Sequence, residues 1–288
     1  SSDLHVRNPL SELPSVEVIV PFKDKPELLE RSVNSLLRVT QWPNLHVTLV
    51  DNGSREPGTE SLLQDLRSSS QITVRRDDRA FNFAALNNAA VADSTAEFIV
   101  FLNNDTVLTE PDWLERLVEH AAREEIGAVA PLLVYPDGKV QHAGVAVGLS
   151  GYAGHPFAGL KPDVQTPFGA AQADVRNWLA VTAACLVIER RKFDQVGCFD
   201  EQFVVGGNDV DLCLRLTKAG FRSLCVTSVT VVHDESRSRG TYVDPGDFIA
   251  SERSYGEFRT VGDPFYSPSL TLQRSNCSLP SIEESAVL

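Results

Sequence analysis

The stretch Phe98-Ile-Val-Phe-Leu-Asn-Asn-Asp-Thr106 decides the fold class, because an unbroken apolar run ends abruptly in polar residues. The five apolar residues 98–102 predict a strand that is covered by helices on both of its faces. Asn103, Asn104 and Asp105 follow directly, so we expect them at the carboxyl end of this strand. Parallel sheets bind their ligands at that edge. The stretch therefore predicts a buried sheet and also the edge at which its ligand binds.

Short apolar strands and helices alternate on both sides of this stretch. Strands are predicted at 16–20, 46–50 and 72–75, each followed by a helix, and later helices are predicted at 113–123 and 209–219. Such alternation indicates βαβ units with helices on both faces of the sheet. We therefore predict an α/β protein, a three-layer sandwich around a mostly parallel central sheet.

The two ends of the chain differ in composition from its middle. We predict a polar lead-in at 1–15, one folded domain at 16–235, and a short irregular C-terminal segment at 236–288 that docks on the domain as a lid or tail. The sequence contains no Met, even at position 1. We therefore expect a processed chain or part of a longer chain with other domains.

The charge and cysteine content restrict the partners and the compartment. Lys and Arg number 26 and Asp and Glu number 39, which gives a net charge of −13. This charge argues against nucleic acid as a partner and gives no attraction to anionic lipid. The five cysteines are odd in number and form no CxxC pair, which predicts reduced thiols. No apolar run approaches the ~18 residues of a membrane span. We expect a cytoplasmic protein without a transmembrane span.

Asp105 and His233 are candidate metal ligands, because Asp105 follows one predicted strand and His233 ends another. A carboxylate is a common ligand of a divalent cation that phosphate oxygens also hold, and neutral imidazole is a common metal ligand. Each residue has a simpler interpretation. Residues 103–105 could form a turn stabilised by Asn and Asp side chains, and a lone histidine is more often structural or exposed.

Asp209 is the candidate general base. It opens a predicted helix, whose N-terminus favours an ionised carboxylate, and Gly206 and Gly207 before it permit the close approach of a ligand. Capping of the helix is the alternative role for Asp209. For Asp211 we prefer the capping role.

Five further residues could contact a ligand. Arg79, Arg237 and Arg239 lie in predicted loops, and arginine binds phosphate through two parallel hydrogen bonds. Taken alone, an arginine in such a loop is more often a solvated surface residue. His142 and Trp178 could line a pocket for an acceptor, although core packing explains them at least as well.

Eight segments, taken in order, resemble the family-two glycosyltransferases, and they cover roughly residues 16–270. The segments are Val18–Asp24, Val50–Ser54, Phe81–Asn88, Phe101–Thr106, Thr182–Ile188, Val196–Asp200, Asn208–Arg215 and His233–Gly240. The resemblance is closest to the rhamnosyltransferase-like branch that builds O-antigen and other surface polysaccharides. It implies the GT-A fold, which is Rossmann-like, with a nucleotide-binding half at 16–106 and an acceptor half at 107–235.

The resemblance also implies roles for residues of the first half. Asp51 is expected to contact the base of the nucleotide, with Pro21 and Asp24 nearby. Residues 103–105 occupy the place of the family's DxD motif. Because Asn103 replaces the first carboxylate, Asp105 becomes the main metal contact, and Asn103 and Asn104 remain as donor-binding residues.

In the second half, Asp209 matches the family's catalytic base and His233 its metal-binding histidine. Asn208 stands where a glutamate is more common, on the acceptor side of the site. The resemblance thus implies an inverting transferase that uses Mn²⁺ or Mg²⁺ and a UDP-, dTDP- or GDP-sugar. Its acceptor would be a glycan or a lipid-linked glycan, which would place the enzyme in the cytoplasm or at the inner face of the plasma membrane.

Two other functions remain open from the sequence. A sugar-phosphate nucleotidyltransferase would share the sheet and the metal, but it should carry a glycine-rich loop after the first strand, where this chain has Pro21-Phe-Lys-Asp24. A non-catalytic domain that binds nucleotide sugar or glycan within a larger synthase is the second alternative. The Asn103 substitution favours such a domain, whereas the presence of Asp105, Asp209 and His233 together argues against it.

Overall fold

The computed structural model describes residue 7 and residues 9–173, 175–234 and 244–285. Within these ranges the strands are β1 (Val16–Phe22), β2 (Leu45–Asp51), β3 (Ile72–Arg76), β4 (Phe98–Leu102), β5 (Thr106–Leu108), β6 (Ile126–Val134), β7 (Val140–His142), β8 (Ala146–Val147), β9 (Ala153–Gly154), β10 (Val175–Trp178), β11 (Cys185–Glu189) and β12 (Arg222–His233). The helices are α1 (Pro26–Val39), α2 (Pro57–Leu66), α3 (Phe83–Asp93), α4 (Trp113–Ala121), α5 (Arg190–Gln195), α6 (Asn208–Lys218), α7 (Pro245–Val261) and α8 (Ile282–Ser285).

One large sheet runs through the described part of the chain, with ten strands. Its order is β10-β12-β6-β11-β4-β1-β2-β3, with β7 paired to β6 and β5 paired to β12. Parallel ladders join β1 to β2 and β4, β2 to β3, and β6 to β12. Because β11 is antiparallel to both β4 and β6, strands β6 and β12 run in the same direction as β1–β4. Six of the ten strands therefore share one direction. The prediction of a mostly parallel sheet is confirmed.

Side chains of the central strand β4 point alternately into two cores. Ile99 and Phe101 belong to the core that contains helices α3 and α6, whereas Phe98, Val100 and Leu102 belong to the core that contains α1 and α4. All five side chains are buried. Helices therefore cover both faces of the sheet, which is the three-layer sandwich that the apolar strand predicts.

The C-terminal segment differs from the irregular structure expected for it, because α7 is a helix of 17 residues. Asp244 caps this helix by accepting the N–H of Gly246, and Pro245 occupies its first turn. The helix buries Ala250 and Tyr255 against the α3–α6 core. Its buried face also carries polar side chains, so no apolar period marks the helix in the sequence. Among the helices of the described ranges, none has the combination of length and apolar side chains that a bilayer span needs.

Gly144 lies between β7 and β8 and makes room for Trp178. Its φ is +126°, and a Cβ at this position would lie 2.1 Å from the indole ring of Trp178. Trp178 is fully buried and also packs against Phe168. The tryptophan is therefore a core residue, because the glycine opens a space that only its ring fills.

We expect Gly144→Ala to destabilise the fold by about 3 kcal/mol, since the new methyl group overlaps the indole ring and the backbone is left-handed. Gly138→Ala is the matched control. Gly138 has a similar positive φ of +79°, but no atom lies within 4 Å of its added Cβ. We expect that change to cost about 1 kcal/mol. Chemical denaturation of both variants tests this, and equal losses would contradict the packing argument.

Candidate active site

A cavity of about 510 Å³ opens where three elements of the domain meet. Asn103 follows β4, Asp209 opens α6, and His233 ends β12, and all three residues line the cavity. Helix α7 closes another wall with Asp247, Phe248, Ser251 and Tyr255 as lining residues. The cavity therefore lies at the carboxyl end of β4, as the sequence predicts for a ligand site.

Asp105 and His233 are in direct contact beside this cavity. Strand β5 runs antiparallel to β12 and pairs Thr106 with His233, which brings the neighbouring Asp105 to the histidine. His233 Nε2 lies 3.0 Å from Asp105 Oδ1, and the other ring nitrogen, Nδ1, lies 2.5 Å from the side-chain oxygen of Gln141. Both residues are at most 5% exposed.

The chemistry of this pair fits a divalent cation. The oxygen of Gln141 can only accept a hydrogen bond, so it selects the histidine tautomer that carries its proton on Nδ1. Nε2 then presents a lone pair next to the Asp105 carboxylate, and the two acceptors favour a positive charge between them. No third His, Cys, Asp or Glu of the described residues completes a metal cluster. Water and phosphate oxygens would have to supply the remaining ligands, as is usual for Mg²⁺.

Asp209 occupies the second position of helix α6 and is half-buried. Its Oδ2 accepts the N–H of Ala183 at 3.1 Å, and its Oδ1 accepts the N–H of Val210 at 2.8 Å. Gly207 begins the helix with a φ of +88°. The two N–H groups hold the carboxylate in a fixed orientation at the helix N-terminus, where it lines the cavity.

The comparisons with known proteins agree with this geometry. The family model described as Glycosyl transferase family 2 matches residues 17–162. The N-acetylglucosaminyl-diphospho-decaprenol L-rhamnosyltransferase of Mycobacterium tuberculosis is 30% identical over 252 residues, which are 81% of this chain and 80% of that protein. The chain belongs to glycosyltransferase family 2.

A second relative has a higher sequence identity to this chain. The O-antigen biosynthesis protein RfbC of Myxococcus xanthus is 43% identical over 277 residues. These residues are 95% of this chain but only 22% of RfbC. The chain also spans 31% of the uncharacterized protein y4gI of Sinorhizobium fredii. It therefore covers less than a third of the length of these two relatives.

Two solved structures share the fold and confirm the GT-A expectation. A mannosyltransferase from Pyrobaculum calidifontis, in complex with GDP-Man and Mn²⁺, superposes with a TM-score of 0.60 at 20% identity, over 82% of this chain and 61% of that one. GalNAc-T7 with UDP, GalNAc and Mn²⁺ superposes with a TM-score of 0.66 at 16% identity, over 87% and 50% of the two chains.

The predicted nucleotide-contact residues form a group of their own at the ends of β1–β3. Asp51 is buried at the end of β2, where Oδ1 accepts the N–H of Ser54 at 2.7 Å and Oδ2 accepts Arg76 Nη1 at 2.9 Å. Pro21 lies beside it in β1, paired with Val50. Sequence reasoning missed Arg76, which follows the apolar residues of β3 and had no motif to mark it.

Two other residues of this group have structural partners. Asp24 Oδ1 accepts the N–H groups of Glu56 and Arg55, and these bonds lower the pKa of the Asp24 carboxyl. Asp24 therefore fastens the loop before α2. Arg79 pairs with Asp77 at 2.8 Å, and this carboxylate raises the pKa of the guanidinium. Both residues lie near Asp51, but neither lines the cavity.

The residues predicted on the acceptor side separate into two environments. His142 and Asn208 line the cavity, whereas Trp178 belongs to the core behind Gly144. His142 Nδ1 lies 3.0 Å from His155 Nδ1, and burial, followed by the charge of His155, holds the pKa of His142 well below its usual value. Asn104 is buried in the turn after β4. Arg237 and Arg239 lie outside the described residues.

Asp211 does not cap helix α6 as predicted, because it lies one turn too far along the chain. Its Oδ2 pairs with Arg215 at 2.8 Å, and its Oδ1 accepts the hydroxyl of Ser254 in α7 at 2.6 Å. The capping position itself belongs to Gly207. Asp211 therefore links α6 to α7.

Proposed function

We propose that the chain is an inverting glycosyltransferase, which transfers a sugar from a nucleotide-diphosphate sugar to a hydroxyl group of a growing surface glycan. The observation that carries this proposal is that Asp209 and His233 line one cavity and that His233 contacts Asp105. A domain that only binds a nucleotide sugar would need the metal pair. It would not need a hydrogen-bonded carboxylate at a helix start beside the same ligand.

Asp105 through its carboxylate and His233 through Nε2 would hold Mn²⁺ or Mg²⁺. When bound, such a cation neutralises the charge that develops on the departing diphosphate. The solved mannosyltransferase and GalNAc-T7 both contain Mn²⁺, which supports this assignment. Asn103 Nδ2 lies 3.2 Å from His233 Nε2. Because this histidine nitrogen has one lone pair, the cation would take the place of that contact.

The half at 16–106 would bind the nucleotide through the Asp51 group. A carboxylate accepts a hydrogen bond from a ring N–H, which uracil, thymine and guanine carry and adenine lacks. Asp51 therefore supports UDP, dTDP or GDP as the carrier of the sugar. Arg76 fixes the orientation of this carboxylate through the bond to Oδ2. We assign diphosphate contacts to Arg79, Arg237 and Arg239.

The half at 107–235 would supply the base. Asp209 takes the proton of the acceptor hydroxyl while that oxygen attacks the anomeric carbon. The attack enters opposite the leaving diphosphate, so the configuration at this carbon inverts. Because Ala183 and Val210 already donate to Asp209, the carboxylate is held in place before the acceptor arrives.

The acceptor would enter past two aromatic rings. Tyr152 and Phe248 both line the cavity, with ring centroids 5.2 Å apart, and the side chain of Phe248 is partly exposed. Aromatic faces of this kind suit the apolar face of a sugar ring. His142 and Asn208 would contact its hydroxyl groups.

The relative from Mycobacterium tuberculosis is named for a lipid-linked acceptor. We extend that acceptor class to this chain and place the enzyme in the cytoplasm, at the inner face of the plasma membrane. The net charge of −13 opposes binding to anionic lipid. Contact with the membrane would therefore come through the acceptor itself.

Thermal-shift measurements with Mn²⁺ and UDP-, dTDP-, GDP- and ADP-sugars test the donor site. One of the first three should stabilise the protein, by about 2.7 kcal/mol at 100 times its dissociation constant, and EDTA should remove this effect.

Asp105→Ala should abolish the Mn²⁺-dependent stabilisation, and His233→Ala should raise the Mn²⁺ concentration that is required. Asp194→Ala, at an exposed carboxylate of α5, is the control. An unchanged donor effect in EDTA would contradict the metal assignment.

Asp209→Asn should lower the transfer rate by roughly 10²–10⁴-fold, because the amide cannot accept the proton of the acceptor. Donor affinity should change little, and the free energy of unfolding should fall by about 1 kcal/mol, because the amide has only one acceptor oxygen for the N–H groups of Ala183 and Val210. Asp211→Asn should mainly lower stability, by about 2 kcal/mol, since it weakens the bonds to Arg215 and Ser254. Transfer assays and melting curves of the two variants measure both effects. An inactive Asp211→Asn with an active Asp209→Asn would show that the wrong carboxylate was assigned as the base.

A further inference from the structure

The first turn of helix α7 holds the loop that leads to Asp209. Asp247 is 2% exposed and lies in this turn. Its Oδ1 accepts the N–H of Val204 at 2.6 Å, and its Oδ2 accepts the N–H groups of Val205 and Gly206 at 3.0 and 2.9 Å. One carboxylate therefore binds three successive backbone N–H groups.

The same helix holds the next residue of the loop two turns further on. The Tyr255 hydroxyl donates to the carbonyl of Gly207 at 2.9 Å, and its ring stacks on Phe203 at an interplanar angle of 11°. Any Cβ at Gly207 would lie 2.5 Å from the Tyr255 oxygen. Each of residues 204–207 thus has one backbone group that is bonded to α7.

The opposite side of this loop is also fixed. The carbonyl of Val204 accepts the N–H of Phe83, the first residue of α3. The loop therefore lies between α3 and α7, and its last residue begins the helix that carries Asp209. A displacement of this loop would move the start of α6 and with it the bond from Ala183 to Asp209.

Asp247 is itself unsuited to act as the base, although it lines the cavity. Asp247 is 2% exposed, and its two oxygens accept three backbone N–H groups between them. The half-buried Asp209 accepts only one N–H group on each oxygen. Buried N–H groups that lose their acceptor are costly. The Asp247 carboxylate therefore serves as the hydrogen-bond acceptor of the loop and not as the base for an acceptor hydroxyl.

We propose that Asp247 is a positioning residue that acts on the base through the loop 204–207, assisted by Tyr255. This inference rests on the proposed role of Asp209 as the base. The reaction requires the base and the attacking hydroxyl at hydrogen-bond distance, and a displacement of about 1 Å can cost about 10²-fold in rate. Helix α7 is accordingly a part of the catalytic framework.

Asp247→Asn and Tyr255→Phe test this inference, with Asp263→Asn as the matched control. Asp263 is 9% exposed, lies just beyond α7, and accepts the N–H groups of Val147 and Phe265 at 2.9 and 2.8 Å. Its substitution thus removes comparable hydrogen bonds, but none of them involves the loop 204–207. Tyr255→Phe keeps the ring stacking and removes only the hydroxyl bond, so it should fold even where Asp247→Asn is poorly stable.

We expect Asp247→Asn to lower kcat by about 10- to 100-fold and Tyr255→Phe to lower it less, while the donor KM and the Mn²⁺ titration stay within about twofold. Asp263→Asn should lower the melting temperature and leave kcat within about threefold. Placed in the Asp209→Asn background, Asp247→Asn should reduce the residual rate little further, because it acts through the base that is already lost.

Two results would overturn the inference. One is a kcat at the wild-type level in Asp247→Asn and Tyr255→Phe, measured well below their melting temperatures. The other is a double variant whose loss of transfer rate equals the product of the losses in Asp247→Asn and Asp209→Asn. Wild-type transfer by Asp209→Asn alone would instead refute the proposed base, so the two failures are distinguishable.

Discussion

Burial of β4 on both faces is the constraint on which the site depends. This strand joins the parallel β1 to the antiparallel β11, and its side chains enter both cores. Since all five of its residues are apolar, the first polar groups after Leu102 emerge at the edge of the sheet. The turn there holds Asp105 against His233, which belongs to a strand more than a hundred residues later in the chain. The long-range pairing of the sheet therefore creates the metal pair.

Periodicity and strand ends made much of this architecture predictable. A strand without polar residues has to be buried on both faces, so the three layers follow from the pattern of 98–102. Asp105, Asp209 and His233 were identifiable because each lies at the end of a regular element, and such ends meet at one edge of the sheet. What a pattern cannot provide is the partner of each side chain. Asp211 looks like a cap residue in the sequence, but it bonds to Arg215 of its own helix and to Ser254 of α7. Asp24, a predicted nucleotide contact, accepts the N–H groups of Arg55 and Glu56, which no pattern indicates.

The parts that escaped prediction depend on contacts between distant segments. Helix α7 has polar residues on its buried face, so it lacks the apolar period by which an amphipathic helix is recognised. Core packing was one of the two interpretations of Trp178, but no pattern indicates that the missing side chain of Gly144 makes the space for its ring. Asp247 gains its importance only from the three N–H groups of a loop some forty residues earlier. None of these relations leaves a local signal.

The partners of the carboxylates, rather than their residue type, decide what each of them can do. Asp105 lies beside an imidazole nitrogen and suits a cation. Asp211 is neutralised by Arg215 and holds two helices together. Asp247 accepts three N–H groups and is committed to the backbone. Asp209 has one N–H bond on each oxygen and lies at a helix start. These two bonds hold Asp209 in position. Because it is half-buried, whereas Asp247 is 2% exposed, its oxygens can still receive the proton of a hydroxyl group.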